Sequence, residues 1–557
     1  MTIPTTAGWT GGRLLVECLV AARVPLMTCV PGESFLPVLD ALYDLGTRDD
    51  VPRLITTRHE AAAANMAEAA GKLTGRAAVC FVTRGPGATH ASIALHTAYQ
   101  DGTPLLLVVG QVARAHLGRQ AFQEMDYSLV FGSSAKSVVQ IHDPDSIPEY
   151  VARAVQVAHR GRPGPVVLVL PEDVLGETTM SRPRSAPLPD GPATSAADLE
   201  ALQGLLASAR RPVMVVGGPG WTASVGEDVR RFAETSSIPV AAAFRWQDAV
   251  DNRSPAYAGY LGLGCSPRLR GRVDEADLLV AFGPRLDDPT TDGFALVDRR
   301  DSGSVVLVSQ DPVELAGTTV AGLGIHAGLA DAAAFLAHGA ASAPREPSSW
   351  CSELRAEYLS FRAAPATPPE PDLAGIVTHV RSVLPDDAVV TNGAGNYAIW
   401  LQRHFEFRQF PTQLAPRNGA MGYGLPAGLA AAALAGGRPV VTFVGDGGLL
   451  MSGSELATAV QFGLKVIVIL VNNAMFATIR MHQEHSYPGR VVATDLRNPD
   501  FAAYARSFGV AASVVERTDQ FPAAFAKAMS HDGPSLIEVR TDLAQLTPDF
   551  RLASLTP

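Results

Sequence analysis

Short, nearly continuous apolar runs rich in β-branched residues alternate with longer stretches of helical period along the whole chain. Between Gly11 and Pro171 the runs are LMTCV, RLITT, AAVCFV, PLLLVVG, KSVVQI and VVLVLP, separated by segments such as EAAAANMAEAAGKLTG. Runs apolar on both faces, alternating with helices, predict a parallel sheet covered by helices. The pattern resumes twice, as RPVMVVGG, DLLVAFG and SVVLVSQ up to about His338, and as DAVVTNG, VVTFVG, KVIVILV and SLIEVRT from about Asp372. The Pro- and Ser-rich stretch 181–195 reads as a linker, and the Ala-, Pro- and Ser-rich segment after His338 as another, carrying a short helix from Trp350 to Phe361. The expected architecture is α/β, with three domains of parallel sheet flanked by helices at 1–180, 190–340 and 370–545, the first and third related in pattern. The length of 557 residues agrees: at roughly 100–200 residues per domain it holds about three.

Composition narrows the partners rather than the fold. A formal charge of −10 with no long basic run argues against nucleic acid or an anionic membrane. Cys18, Cys29, Cys80, Cys265 and Cys351 are scattered singly, with no C-x-x-C pair, which fits a reducing cytoplasm. No basic start followed by an apolar core opens the chain, and no stretch is apolar for long enough to span a bilayer. The expectation is a cytoplasmic protein acting on small molecules.

The residues that carry chemistry lie where apolar runs end. Gly445-Asp446-Gly447 closes VVTFV, and Asn472-Asn473 closes KVIVILV. If both runs are parallel strands, the carboxylate and the amides sit at the carboxyl ends of a sheet, where open α/β folds bind ligands. Glycines flanking Asp446 let backbone approach a phosphate, and the oxygen ligands suit Mg²⁺. Residues 448–471 between them leave room for a helix over SGSELATAVQFGL and a return strand. Gly395 and Asn396, in TNGAGNYAIW, follow another strand and precede a helix, where amides can meet phosphate. Glu60, in RHEAAAA directly after RLITT, opens an Ala-rich helix, a position in which an acid is commonly just a partner of the helix dipole.

Taken together, RHEAAAA, TRGPGAT, AYQDGTPLLLVVGQV, AFQEMD, NGAMGYGLP and GDGGLLMSGSELATAVQFGLKVIVILVNN resemble the thiamine-diphosphate enzymes of the acetolactate synthase group, over almost the full length. The resemblance implies a pyrimidine-binding first domain, a Rossmann-like middle domain and a diphosphate-binding third domain. It implies thiamine diphosphate and Mg²⁺ as cofactors. Glu60 would hydrogen-bond the pyrimidine nitrogen and promote the imino tautomer, a role that asks for a buried carboxylate with a raised pKa. Met421 would support the bend of the cofactor. Asp446 and Asn473, with the carbonyl of Met475, would hold the metal. The cofactor would lie between the first domain of one subunit and the third of its partner, in a homodimer or homotetramer.

The resemblance also bears on the reaction. An adjacent His pair is missing from LGRQAFQEMD, and Thr83 stands where a second decarboxylase type carries a His. Phe122 and Gln123 match the synthase segment AFQE, in which the Gln faces the reacting centre. These matches imply decarboxylation of a 2-oxo acid followed by carboligation to a carbonyl acceptor. A non-oxidative decarboxylase, a flavin-dependent 2-oxo acid oxidase and a non-catalytic nucleotide-binding homologue are the alternatives. Departures touch the acceptor side: His482 replaces a Trp, His90 an Asn after GPGAT, and Arg119-Gln120 a Thr-Asp pair. Arg480, His482, Glu484 and His485 lie on a loop-helix where they could bind a carboxylate or move protons, or form a solvated face. In the middle domain VGGPG and AFGPRLDD admit FAD, although Pro289 replaces an Arg and Leu263-Gly264 a Met-His pair.

Overall fold

A computed structural model describes residues 8–46, 48–184, 187–317, 321–342, 348–363 and 368–552. The chain folds into two compact units. The first comprises the chain up to Asp190 together with Leu429–Gly436 and Ser452–Leu464, and the second comprises Gly191–Gly428, Gly437–Met451 and the chain from Lys465 on.

Three parallel six-stranded sheets carry the architecture. A short antiparallel pair, β1 (Trp9–Thr10) with β8 (Thr178–Thr179), flanks the first of them. That sheet is built from β2 (Met27–Cys29), β3 (Leu54–Thr56), β4 (Ala78–Val82), β5 (Leu105–Gln111), β6 (Ser137–Gln140) and β7 (Pro165–Pro171), in the order β3-β2-β4-β5-β7-β6. The middle sheet is β11-β10-β9-β12-β13-β14, from β9 (Pro212–Val216), β10 (Val240–Ala242), β11 (Tyr257–Tyr260), β12 (Leu278–Phe282), β13 (Val305–Ser309) and β14 (Leu323–His326). The third is β16-β15-β17-β18-β20-β19, from β15 (Val389–Asn392), β16 (Gln413–Leu414), β17 (Val440–Gly445), β18 (Ile467–Asn472), β19 (Ala511–Val515) and β20 (Ser535–Arg540). A final hairpin joins β21 (Gln545–Thr547) to β22 (Phe550–Arg551).

Two consequences follow from these orders. Numbered within its own sheet, the first set reads second-first-third-fourth-sixth-fifth, and so does the third set, so the two share one topology. The middle sheet reads third-second-first-fourth-fifth-sixth, the order of dinucleotide-binding folds. In each sheet the connection reverses direction beside its first strand, and the crevice outside the strand ends there is where such folds take ligands. These switch points lie between β2 and β4, between β9 and β12, and between β15 and β17.

Burial explains why the apolar runs became strands. Every residue of β4, β5 and β7 is buried, as required of strands covered by helices on both faces. The helix Glu60–Thr74 is itself buried on most sides, which its alanines permit by letting strand and helix backbones come close. The linker helix expected near Trp350 is found as Ser349–Phe361, with Trp350 and Leu354 in the middle core. Among the described residues no helix is long and apolar enough to cross a membrane.

Candidate active site

The residues read in the sequence as a metal and diphosphate site lie at the switch point of the third sheet. Asp446 follows β17 directly, is 3% exposed and starts a helix, Asp446–Ser452. Its Oδ1 accepts from the Gly447 amide at 2.9 Å and its Oδ2 from Asn498 Nδ2 at 2.7 Å. Burial is the main influence on its carboxyl and pushes it above the usual aspartate range, against those amide hydrogen bonds. A desolvated carboxylate whose partners are neutral amides is a fitting ligand for a hard divalent cation.

Glycines shape the wall around Asp446. A Cβ on Gly445 would lie 3.1 Å from the Tyr397 ring, and one on Gly447 2.6 Å from Phe476. Gly395, at φ +143°, meets the same ring, and the Tyr397 hydroxyl accepts from the Gly393 amide at 3.0 Å. The loops after β15 and β17 are thus held together over one buried tyrosine, with Gly395 and Gly445 presenting bare backbone. Asn396 caps the following helix Tyr397–His404 and is buried. Its side-chain oxygen takes a hydrogen bond from Thr478 at 2.8 Å, so Asn396 is committed to the helix Ala477–Ser486.

Asn473 and Met475 lie in the loop after β18, the next strand over. Asn473 Oδ1 accepts from the Met475 amide at 3.3 Å, and the Met475 carbonyl accepts from Ala477 at 3.0 Å. Ala474 between them is left-handed, at φ +51°, which turns the backbone sharply at this point. Asn472 supports the loop: its amide donates to Glu538 at 2.8 Å, and its oxygen accepts from Asn498 at 2.9 Å. Met421 is half-buried in the turn before Gly422, whose φ of +78° and 3.1 Å approach to Met451 Cβ demand glycine. Arg480 is buried and paired with Glu484 at 3.0 Å, whereas His482 and His485 are exposed. Arg480 therefore serves the fold of this helix and is not held out toward a ligand.

Glu60 belongs to the other compact unit, at the first turn of the helix after β3. His59 caps that helix, its Nδ1 accepting from the Ala61 amide at 3.1 Å. The Glu60 side chain is 13% exposed, and its Oε2 lies 2.9 Å from His90 Nδ1. The rings of His59 and His90 stack with centroids 4.6 Å apart. Oε1 faces Gly87, where a Cβ would come within 3.3 Å of it. Gly85, in the same turn, has φ +60° and packs against the Gln123 backbone, itself left-handed at φ +64°. Glu60, the glycine turn and Gln123 therefore line one wall. Phe122 is 76% exposed beside it, so it is not part of the core. A cleft of about 450 Å³ that includes Gln111, Gly118, Glu124 and Tyr127 lies under this turn and does not reach Glu60.

A second carboxylate, Glu455, supports the approach to Glu60. Glu455 is fully buried within the first unit and accepts from the amides of Arg58, at 3.0 and 3.2 Å, and His59, at 3.1 Å, while Thr458 donates its hydroxyl at 2.5 Å. It thereby fixes the two residues that precede Glu60. Burial pushes its carboxyl above the usual glutamate range despite these hydrogen bonds. A value raised in the folded state means that the native protein keeps a proton the unfolded chain has lost. The contribution to stability consequently falls as pH rises from the ordinary glutamate range through the raised value. Glu455→Gln is expected to flatten that part of the stability profile, measured as thermal midpoint against pH; an unchanged slope would contradict the assignment. Glu455 stands inside the SGSELATAV segment, but a single acid in a helical run gives no sign of the backbone it will meet. Asn498, in RNPD, likewise looks like an ordinary turn residue.

At the switch point of the middle sheet the glycine turn is closely packed. A Cβ on Gly217 would strike Trp246 at 2.6 Å, one on Gly218 the Gly283 carbonyl at 2.3 Å, and one on Gly220 the Gln310 side chain at 2.5 Å. Asp287 is half-buried and paired with Arg417, which holds its carboxyl below the usual aspartate range against the opposing effect of burial.

Comparison with known proteins agrees with this division. Residues 9–130 match the N-terminal TPP binding domain of thiamine pyrophosphate enzymes, 199–337 their central domain, and 393–539 their C-terminal TPP binding domain. The chain is 32% identical to the acetolactate synthase large subunit of Parasynechococcus marenigrum (strain WH8102), over 95% of its own length and 87% of the relative's. It is 30% identical to the acetolactate synthase isozyme 2 large subunit of Escherichia coli (strain K12), covering 96% and 95%. Identity to a probable chloroplastic acetolactate synthase 2 of Oryza sativa subsp. japonica is 33%, covering 95% and 82%.

Proposed function

Since the chain belongs to the thiamine pyrophosphate enzymes, alongside acetolactate synthases, we propose that it is a thiamine diphosphate- and Mg²⁺-dependent carboligase, which decarboxylates a 2-oxo acid and joins the remaining fragment to a carbonyl acceptor. The observation that carries this reading is the buried Asp446 at a switch point, its carboxylate met by neutral amides and its flanks stripped to glycine backbone. Asp446, Asn473 and the Met475 carbonyl would hold the metal, and Gly395, Asn396, Gly445 and Gly447 the diphosphate. Met421 would support the cofactor between its two ends. Bound thiamine diphosphate supplies the electron sink for the carbanion that decarboxylation leaves. Glu60 would hold and move the proton at the cofactor's pyrimidine nitrogen, from a carboxylate held in place by its helix start and by His90. Phe122 and Gln123, on the wall beside Glu60, would face the substrates. A homodimer, or a homotetramer of such dimers, is the active form that this reading implies. Five buried thiols, none of them in a disulfide, are consistent with a cytoplasmic location.

Incubation with thiamine diphosphate, Mg²⁺ and pyruvate tests the reading. Carbon dioxide together with an acyloin or 2-hydroxy-2-oxo acid product is the expected result; no turnover over a panel of 2-oxo acids would refute it. One observation favours a second reading, the non-oxidative decarboxylase: the exposed His59 and His90 rings beside Glu60 offer donors that could protonate the product carbon. Free aldehyde as the dominant product would select it. FAD is a further candidate cofactor, in the middle domain, whose strand order is that of dinucleotide-binding folds. The visible spectrum of the purified protein tests it: a flavin band would place FAD in the middle domain and bring in the oxidase alternative, and a spectrum without one would remove both.

A further inference from the structure

His90 is the residue in which this chain departs from the resembled group closest to Glu60, and the structure gives it a defined partner on each side. It ends the short helix Pro86–His90, and its side chain is 51% exposed. Nδ1 lies 2.9 Å from Glu60 Oε2, and one ring face stacks on His59. His59 is fixed in turn, since its Nδ1 is an acceptor for the Ala61 amide and its proton must therefore sit on Nε2 when the ring is neutral. An ionised Glu60 is acceptor-only, which places the His90 proton on Nδ1 and leaves the Nε2 lone pair of a half-exposed ring. Glu60 Oε1, against the bare Cα of Gly87, is not engaged by His90.

We propose that His90 is a positioning residue for Glu60 and its proton relay to solvent. Oε2 is held by the imidazole while Oε1 stays available for a donor. When Glu60 takes up a proton, the Nδ1–H proton passes to Oε2 and Nε2 takes one from solvent water, so that one proton enters and the ring changes tautomer. The reverse discharges it, with only N–H and O–H bonds made and broken. The groups that share this environment are His59, the Cys80 thiol, which interacts electrostatically with Glu60, and Arg58 and Glu455 at the preceding amides. The inference rests on the role of Glu60 proposed above. An Asn at this position can donate to Oε2 but has no second nitrogen through which to pass a proton, so a relay and a simple brace are separable.

Two measurements test it. In cofactor-free protein labelled with ¹⁵N-histidine, the His90 ring is expected as the Nδ1-protonated tautomer, and Glu60→Gln should shift its ring nitrogen signals; unshifted signals would overturn the contact. In the loaded protein, His90→Asn should slow exchange of the thiazolium proton by about tenfold or more, and added imidazole should restore exchange in His90→Ala in proportion to its concentration. Wild-type exchange in His90→Asn, or no imidazole rescue, would overturn the relay. Glu60→Gln, run alongside, separates the two ideas. If it abolishes exchange while His90→Asn does not, the relay alone falls; if it too leaves exchange unchanged, the role of Glu60 falls.

Discussion

Glu60→Gln is expected to lower turnover of a 2-oxo acid by about a hundredfold to ten-thousandfold, the range for loss of a positioned general acid or base. The fold should be spared. The side chain sits at the first turn of its helix, whose cap is made by His59 and whose approach is fixed by Glu455 through the Arg58 and His59 amides, none of which uses the Glu60 carboxylate. Gln has the same shape and still offers an oxygen to His90 Nδ1, so the 2.9 Å contact can persist. It lacks the ability to gain and lose a proton. Turnover, thermal midpoint and thiamine diphosphate affinity measured together check the claim. A large loss of rate with midpoint and affinity retained is the expected combination. A rate close to wild type would remove Glu60 from the chemistry, and a lowered midpoint would show the carboxylate to be structural.

What the sequence disclosed and what it hid have one physical cause. A run of apolar residues announces a strand most clearly when both faces are covered, and most of the strands read in advance are of that kind, as β4, β5, β7, β17 and β18 show. Within the three six-stranded sheets the unread ones are β10, β11, β14, β16 and β19, and four of these five form sheet edges. They are short, as at Gln413–Leu414, or alternate in exposure, as at Leu323–His326. The three-domain α/β class was nonetheless legible, because the central strands determine it. The same division runs through the site. Asp446 and Asn473 were visible because strand ends and glycines mark them, and the switch point supplies the reason that those ends matter. Glu455, Asn498 and Glu538 were not, because each acts on backbone or amide groups remote in sequence. Only Glu538, an acid in the apolar strand SLIEVR, left a sign: 1% exposed, it holds the Asn472 amide.

Asp446→Ala carries the second large effect. The substitution removes the buried carboxylate at the switch point while leaving the glycines on either side and the Tyr397 floor in place. Second-sphere partners of metal ligands typically matter by about tenfold to a hundredfold, so loss of a direct ligand should weaken Mg²⁺-supported thiamine diphosphate binding by more than about a hundredfold. The cofactor-free protein should respond differently. Asp446 carries a desolvation cost that neutral amides only partly offset, so its removal relieves that cost even as it strands the Asn498 amide. Stability without metal should therefore change little, while the stabilisation conferred by Mg²⁺ and thiamine diphosphate together should vanish. Thermal midpoints of both proteins, with and without metal and cofactor, give the four values needed. Asp446→Asn sharpens the comparison: it keeps an oxygen ligand and the side chain's size but drops the charge. An intermediate loss would locate the effect in the charge on the metal. Full affinity in either variant, or equal affinity with Mg²⁺ and with chelator, would remove Asp446 from the metal site and with it the reading of the third sheet as a diphosphate-binding half.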